Sequence, residues 1–273
     1  MEKVGTKMRA VSYRALGEVG YEQELFEVPK PGPGQVLIKV ESAVINPSDL
    51  YMMNGQYSGT FEYPVTPGSE GSGTVVAYGG GWGAWFLMGK RVGFTRQTEK
   101  GGKYSKGGSY AEYVVTNAYQ CITLNKDASF EQGACSFVNP VTAIGLLDRC
   151  KFYKAKAVIS SAASSQLGRM IIKLFKQHGI KVINIVRKEE HVEMLKKEYG
   201  AEYVLNSSDE TFDADLYNLA LELKASVGLD ACAGDMPGRM LVCLGRNGTV
   251  INYGLLSGTK ITNINPICMI FKK

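Results

Sequence analysis

The spacing of apolar positions changes character part way along the chain. From Met8 to about Asn125, apolar and polar residues alternate in short runs broken by glycine and proline, which predicts the strands of a compact β-rich domain. MRAVSYRAL, QVLIKVESAVI, GTVVAY and YAEYVVT read as strands, with PKPGPGQ and TEKGGKYSKGG as turns or loops. From about Ser129 onward strand-like and helix-like segments alternate, the signature of βαβ units on a parallel sheet. The expected domains are therefore residues 1–128 and 129–273.

In the second half KAVIS reads as a buried strand. The stretch after it carries Leu167, Met170, Ile171, Leu174 and Phe175 at i, i+3, i+4, i+7 and i+8, one apolar helix face that Gly179 stops. KVINIVR is a second strand and EEHVEMLKKEYG a second helix with Gly200 at its cap. AEYVL, GLDACA and GTVINYG supply three more strands. Upstream, Asn139-Pro140 has the N-cap and first-turn chemistry that opens a helix running toward Arg149.

Composition then excludes several function classes. With 45% hydrophobic and 21% charged residues, a packed core is expected rather than disorder. Lys plus Arg is 31 against 26 Asp plus Glu, and this +5 is spread too diffusely to argue nucleic-acid or anionic-membrane binding. The longest uncharged stretch, Gly71 to Gly89, is 19 residues long but holds seven glycines, so no membrane span is expected. MEKVGTKMRAV has no apolar h-region and includes Glu2, so it is not a secretory signal. The six cysteines form no C-x-x-C pair, and reduced thiols in an intracellular protein, cytoplasmic or mitochondrial, are expected.

Candidate chemistry sits between the KAVIS strand and its helix, in Ala162-Ala163-Ser164-Ser165-Gln166-Leu167-Gly168. A dinucleotide fold needs small residues here, because the backbone must approach the pyrophosphate while the helix start presents free N–H groups. Ala162, Ser165 and Gly168 occupy the small-residue positions of A-x-x-S-x-x-G, and the strand–loop–helix context is the one the motif requires. The alternative is a loop that merely packs helix on sheet. At the end of KVINIVR, Arg187 and Lys188 stand where a guanidinium accommodates the 2′-phosphate of NADP and an acidic residue would select NAD. Their alternative role is a solvated helix start, with Glu189 and Glu190 matching the helix dipole.

The ordered motifs VINPSDLYMMNGQY, TPGSEGSGTVVA, GGSYAEYVV, VNPVTA and the nucleotide loop resemble the medium-chain dehydrogenase/reductase superfamily. The resemblance runs from about Met8 to the last residue. It implies an α/β protein with a GroES-like β-rich N-terminal domain and a Rossmann doubly wound parallel sheet. Zinc members place a cysteine where this chain has Asn46-Pro47 and a histidine where it has Ser69, before Glu70; the segment from Phe94 to Tyr110 has no cysteines for a structural zinc. His178 and His191 fall on predicted helices and read as surface residues, so no zinc is expected.

Among zinc-free members the chain is similar to mitochondrial-type 2-enoyl thioester reductases and to quinone oxidoreductases, the A-x-x-S-x-x-G loop, VNPVTA and KVINIVR being more similar to the former. The resemblance implies NADPH as cofactor and an acyl thioester or quinone as small-molecule substrate. It makes Tyr57 the proton donor and gives Asn46 the nicotinamide ribose or carboxamide region. Asn139 and Thr142 would meet the cofactor at a helix start, Ser164, Ser165, Gln166, Leu167 and Gly168 the pyrophosphate, Arg187 and Lys188 the 2′-phosphate, and Tyr253, Gly254, Leu255 and Leu256 the nicotinamide side. It also implies a homodimer.

The family continues past the segment like NPICMIFKK, so the C-terminal portion is expected to be missing from the Rossmann domain, with an incomplete sheet edge and uncovered apolar surface. That leaves a second reading, a catalytically weak relative serving as a structural subunit of a larger complex.

Overall fold

Alternating burial at Lys7–Ser12 makes strand β1, which pairs antiparallel with β2 (Glu22–Glu27). The computed structural model describes residues 5–15, 22–54, 63–96 and 107–271. They belong to two compact units, Met1–Val138 and Asn139–Lys273.

In the first unit, β3 (Gln35–Ala43) is followed by α1 (Pro47–Met53), β4 (Glu70–Tyr78), α2 (Trp82–Trp85), β5 (Arg91–Thr95), β6 (Tyr113–Asn117), β7 (Cys121–Thr123) and α3 (Phe130–Ala134). The strands form one antiparallel sheet in the order β6-β3-β4-β5-β7. Val36, Ile38, Val75, Val92, Phe94 and Val114 fill its core, and Ala84 of α2 joins them. The QVLIKVESAVI strand stops at Ala43, short of its apolar run, and the chain turns into α1 at Asn46-Pro47. Proline suits that position because its missing N–H has no partner in a first turn. Three strands were not legible in the alternation. β2 is EQELFE, too charged to signal burial, while β5 and β7 are short and owe their extended form to the neighbours that pair with them.

The second unit contains most of α4 (Val138–Phe152), then β8 (Ala157–Ser160), α5 (Gln166–Gln177), β9 (Lys181–Val186), α6 (Glu189–Tyr199), β10 (Tyr203–Asn206), α7 (Phe212–Glu222), β11 (Val227–Asp230), α8 (Met236–Cys243), β12 (Thr249–Asn252) and α9 (Pro266–Phe271). Its five strands are all parallel, in the order β10-β9-β8-β11-β12. One core cluster packs Leu146, Leu147 and Cys150 of α4 with Ile171 and Phe175 of α5 against Val158 and Leu229. Another packs Phe212 and Leu216 of α7 with Met240 of α8 against Ile159 and Ile183. Successive residues of one strand thus feed two clusters, which makes the sheet doubly wound and explains its unbroken apolar runs. Phe175 and Phe212 are fully buried, each stabilising the fold by about 1.5–3 kcal/mol over an exposed position. Gly179 (φ 69°) and Gly200 (φ 61°) end α5 and α6 in the left-handed region, as their positions predict.

One predicted cap shifts. Helix α4 begins at Val138, so Asn139 and Pro140 lie inside its first turn rather than at its cap. The first free N–H groups, of Phe137 and Val138, instead donate to Oε2 of Glu70, at 3.0 and 2.9 Å. A buried carboxylate from β4 does the capping that a local side chain was expected to do.

Candidate functional site

The strand order of the second unit reverses direction between β8 and β11, the switch point at whose carboxyl ends open parallel sheets bind their ligands. The β8 loop, Ser161–Ser165, is built to stay close to the sheet. Ala162 takes φ 49°, a left-handed conformation that costs a non-glycine residue about 1–2 kcal/mol. The Ala163 N–H donates to Ile185 O at 3.0 Å, and Ser165 caps α5 by accepting from the Gly168 N–H at 3.1 Å. A Cβ on Gly168 would lie 2.4 Å from Ala163 O, so the helix meets the loop here only through glycine. Arg169 pins the loop from outside, donating from Nε to Ser164 O at 2.9 Å.

Beside this loop stands Asp230, fully buried at the end of β11. Its Oδ1 accepts from the Ser161 hydroxyl (2.7 Å) and the Cys232 N–H (3.1 Å). Its Oδ2 accepts from the Ala233 N–H (2.7 Å) and Asn252 Nδ2 (2.8 Å). Ser161 completes the ring by accepting from the Ala231 N–H at 2.8 Å. This carboxylate ties together the ends of β8, β11 and β12. The segment after β12 follows the same edge: the Tyr253 N–H donates to Asp230 O at 2.8 Å, the Leu256 N–H to Ala231 O at 3.0 Å, and a Cβ on Gly254 would sit 2.5 Å from Ala231 O.

At the end of β9 Arg187 is exposed, and its charge opposes the rise that burial imposes on the Cys232 thiol. Its carbonyl accepts from the Ser208 hydroxyl at 3.0 Å. Lys188 is the N-cap of α6 and pairs with Glu190 at 3.2 Å, so its charge is already partly answered within the chain.

In the first unit a second polar cluster gathers around α1. Asn46 Nδ2 donates to Glu70 Oε1 at 3.0 Å, and the Asn46 N–H donates to Asp49 Oδ2 at 2.8 Å. Asp49, fully buried, also accepts from the Ser69 hydroxyl through Oδ1 and from the Tyr110 hydroxyl through Oδ2 at 3.1 Å. The residues standing where zinc members carry cysteine and histidine are thus neighbours in space. As a metal site the cluster of Asn46, Ser69, Asp49 and Glu70 fits poorly, being a carboxamide, a hydroxyl and two carboxylates already bonded to protein groups rather than thiolates or imidazoles. Among the described residues no three of His, Cys, Asp and Glu converge on one point. Asp49 also borders a cavity of about 10 Å³ with Tyr13, Met52, Tyr63 and Arg96, far below the ~300 Å³ that a substrate pocket needs.

Two phenols here are held neutral. Burial, then the charge and hydrogen bond of Asp49, pushes Tyr110 well above the ordinary tyrosine range. Burial, then Asp230 and Cys232, does the same to Tyr253. Both pKa values are raised in the fold, so their contribution to stability is complete below the unfolded value of about 10 and is lost as pH rises beyond it. Denaturant midpoints are expected to fall above pH ~10, and Tyr110→Phe to flatten that fall. An unchanged alkaline slope in the variant would remove Tyr110 from this account.

The residues expected to meet a cofactor are distributed as follows. Ser164, Ser165, Gln166, Leu167 and Gly168 form the loop and first turn of α5, and Arg187 and Lys188 follow the neighbouring strand. Tyr253, Gly254, Leu255 and Leu256 line the β11–β12 edge. Asn139 and Thr142 are half-buried near the start of α4. Asn46 is buried at the cap of α1, and Tyr57 lies outside the described residues. Sequence reasoning missed Asp49, Tyr110, Ser161, Asp230, Cys232 and Asn252. The available signals were the N-x-x-D spacing of Asn46 and Asp49, and the single carboxylate within the otherwise apolar GLDACA run.

Comparison with known proteins agrees with the fold of the two units. The family profile of the alcohol dehydrogenase GroES-like domain matches residues 32–126, and that described as zinc-binding dehydrogenase matches residues 167–273. A mitochondrial enoyl-[acyl-carrier-protein] reductase of Caenorhabditis elegans is 29% identical, over 96% of this chain and 77% of its own length. A quinone oxidoreductase of Pongo abelii is 31% identical, over 90% of this chain and 73% of its own length. A solved Mesorhizobium loti structure, described provisionally as an NADPH:quinone reductase, superposes with a TM-score of 0.88 at 35% identity, covering 99% of this chain and 80% of that one.

Proposed function

The chain belongs to the medium-chain dehydrogenase/reductase superfamily, and we propose that within it this protein is an NADPH-dependent reductase of the C=C bond of a 2-enoyl thioester. The observation that carries the cofactor part is the β8 loop at the switch point, with Gly168 admitting close backbone approach and Arg187 exposed at the next strand end. The N–H groups of Gln166 and Leu167 open α5 without intrahelical acceptors and would hold the pyrophosphate, since Ser165 has taken only that of Gly168. The Arg187 guanidinium would take the 2′-phosphate as a charge-assisted fork, with Lys188 a weaker partner because Glu190 competes for it. Tyr253–Leu256 would border the nicotinamide end.

Bound NADPH supplies a hydride for the β-carbon of the alkene. Tyr57 delivers the proton to the α-carbon, a task that asks a phenol for position rather than for ionisation. Asn46, its carboxamide oriented by Glu70, fixes the ribose or carboxamide side of the cofactor. A quinone is the second reading, favoured by the names of the two relatives of higher identity.

The decisive experiment compares NADPH oxidation by crotonyl-CoA and by small quinones, in the natural chain and in Tyr57→Phe. Enoyl turnover that falls about 10²–10⁴-fold in the variant supports the proposal. Faster turnover of quinones, or no effect of the substitution, overturns it. Arg187→Ala is expected to weaken NADPH about 10- to 100-fold while barely changing NADH, as followed by fluorescence titration. Equal losses for both cofactors would rule out its 2′-phosphate role.

A further inference from the structure

We propose that the end of the first unit's sheet closed by α2 is a docking surface for an anionic lipid bilayer. Inward-facing residues of this turn hold it rigidly: Ala84 is buried, and Leu87 and Met88 pack against the core around Val92 and Phe94. Its outer face therefore cannot fold away. That face exposes Trp82 by 78%, Trp85 by 50% and Phe86 by 58%, and Tyr119, on the neighbouring turn at residues 118–120, by 82%. The rings support one another edge-on, Trp82 to Trp85 at 5.9 Å and Trp85 to Phe86 at 5.1 Å between centroids. Single exposed apolar residues are ordinary, but an aromatic cluster fixed from beneath marks an interaction site.

Charge and hydrogen-bonding capacity select the occupant. Residues 28–36, 78–92 and 117–124, which build this end, include no Asp or Glu. Lys90 is exposed directly after the turn, and Lys30 is exposed beside Pro31 and Gly32, whose carbonyls lie against Gly79. The diffuse charge of the whole chain hides this local imbalance. A protein partner of ordinary size expects about one hydrogen bond per 100–200 Å². This face, interrupted by Gly79, Gly80, Gly81, Gly83 and Gly89, offers aromatic rings and few polar side chains. Tryptophan and tyrosine at the level of the headgroups, with lysines at the rim, match an anionic bilayer surface instead. The inference stands independently of the reaction proposed above.

Trp82 and Trp85 are the only tryptophans in the chain, so intrinsic fluorescence reports on this face alone. The full chain is titrated with vesicles of phosphatidylcholine, with and without phosphatidylglycerol, and pelleted with them. The expected result is a blue-shifted emission and co-sedimentation with the anionic vesicles that weakens as salt is added. Lys90→Gln should lower the apparent partition coefficient about fivefold. Trp82→Ser/Trp85→Ser should abolish co-sedimentation while circular dichroism and the unfolding midpoint stay unchanged. Unshifted emission with protein left in the supernatant overturns the proposal, as does equal binding to neutral vesicles. A blue shift that grows with protein concentration in the absence of lipid also overturns it and assigns the face to a second copy. If the double variant fails to fold, an unchanged partition coefficient for Lys90→Gln refutes the electrostatic basis by itself.

Discussion

Asp230→Asn is expected to cost about 3–5 kcal/mol of folding stability while leaving the shape of the side chain unchanged. Each carboxylate oxygen of Asp230 accepts two donors: the Ser161 hydroxyl and Cys232 N–H on one side, the Ala233 N–H and Asn252 Nδ2 on the other. An amide offers an acceptor on one side only. Whichever way it turns, its NH₂ group faces two further donors, at a position fully buried from bulk solvent. Of those donors only the Ser161 hydroxyl and the Asn252 side chain can rotate away, and Ser161 is itself held by the Ala231 N–H. Urea unfolding of the variant measures the loss. A change within about 0.5 kcal/mol of the natural chain would mean that the network contributes no more than an ordinary surface contact.

Gly168→Val should do comparable damage by steric rather than electrostatic means. Its Cβ would stand 2.4 Å from Ala163 O and 2.6 Å from both the carbonyl carbon and the Cα of Ala163, so backbone and not a flexible side chain must yield. Separating α5 from its loop costs about 1–3 kcal/mol and moves the N–H groups proposed to hold the pyrophosphate. The affinity for NADPH is expected to fall about tenfold or more, measured by fluorescence titration on protein shown to be folded. Gly145 in the middle of α4 is the control, because a Cβ there meets nothing within 4 Å. Gly145→Ala should raise stability by about 0.5–1 kcal/mol and leave cofactor binding alone. Unimpaired NADPH binding in Gly168→Val would separate this loop from the cofactor.

Much of the second unit is legible residue by residue because its signals are local. The apolar face from Leu167 to Phe175, the glycines after α5 and α6, and the β-branched run KVINIVR each state their conformation within a dozen residues. The loop proposed to hold the pyrophosphate is legible for the same reason, since strand, small residues and helix follow one another directly. In the first unit the alternating runs announced a β-rich domain, but β5, β7 and α1 are too short to carry a period of their own.

The polar centres lie outside that local grammar. Ser161 and Asp230 are 69 positions apart, and Val138 and Glu70 are 68 apart. No spacing rule connects such pairs, and each residue alone reads as a turn serine, a strand-end carboxylate or an unremarkable glutamate. The amino-acid pattern by itself determined the alternation of strands and helices in the second unit, the β-rich character of the first, and the small-residue loop proposed to meet the pyrophosphate. Only the tertiary structure decided that Asp230 would bind three strand ends together and that Glu70 would replace Asn139 as the cap of α4. Periodicity encodes which face of an element is apolar, whereas a buried polar group must find its partner wherever the topology of the chain delivers one.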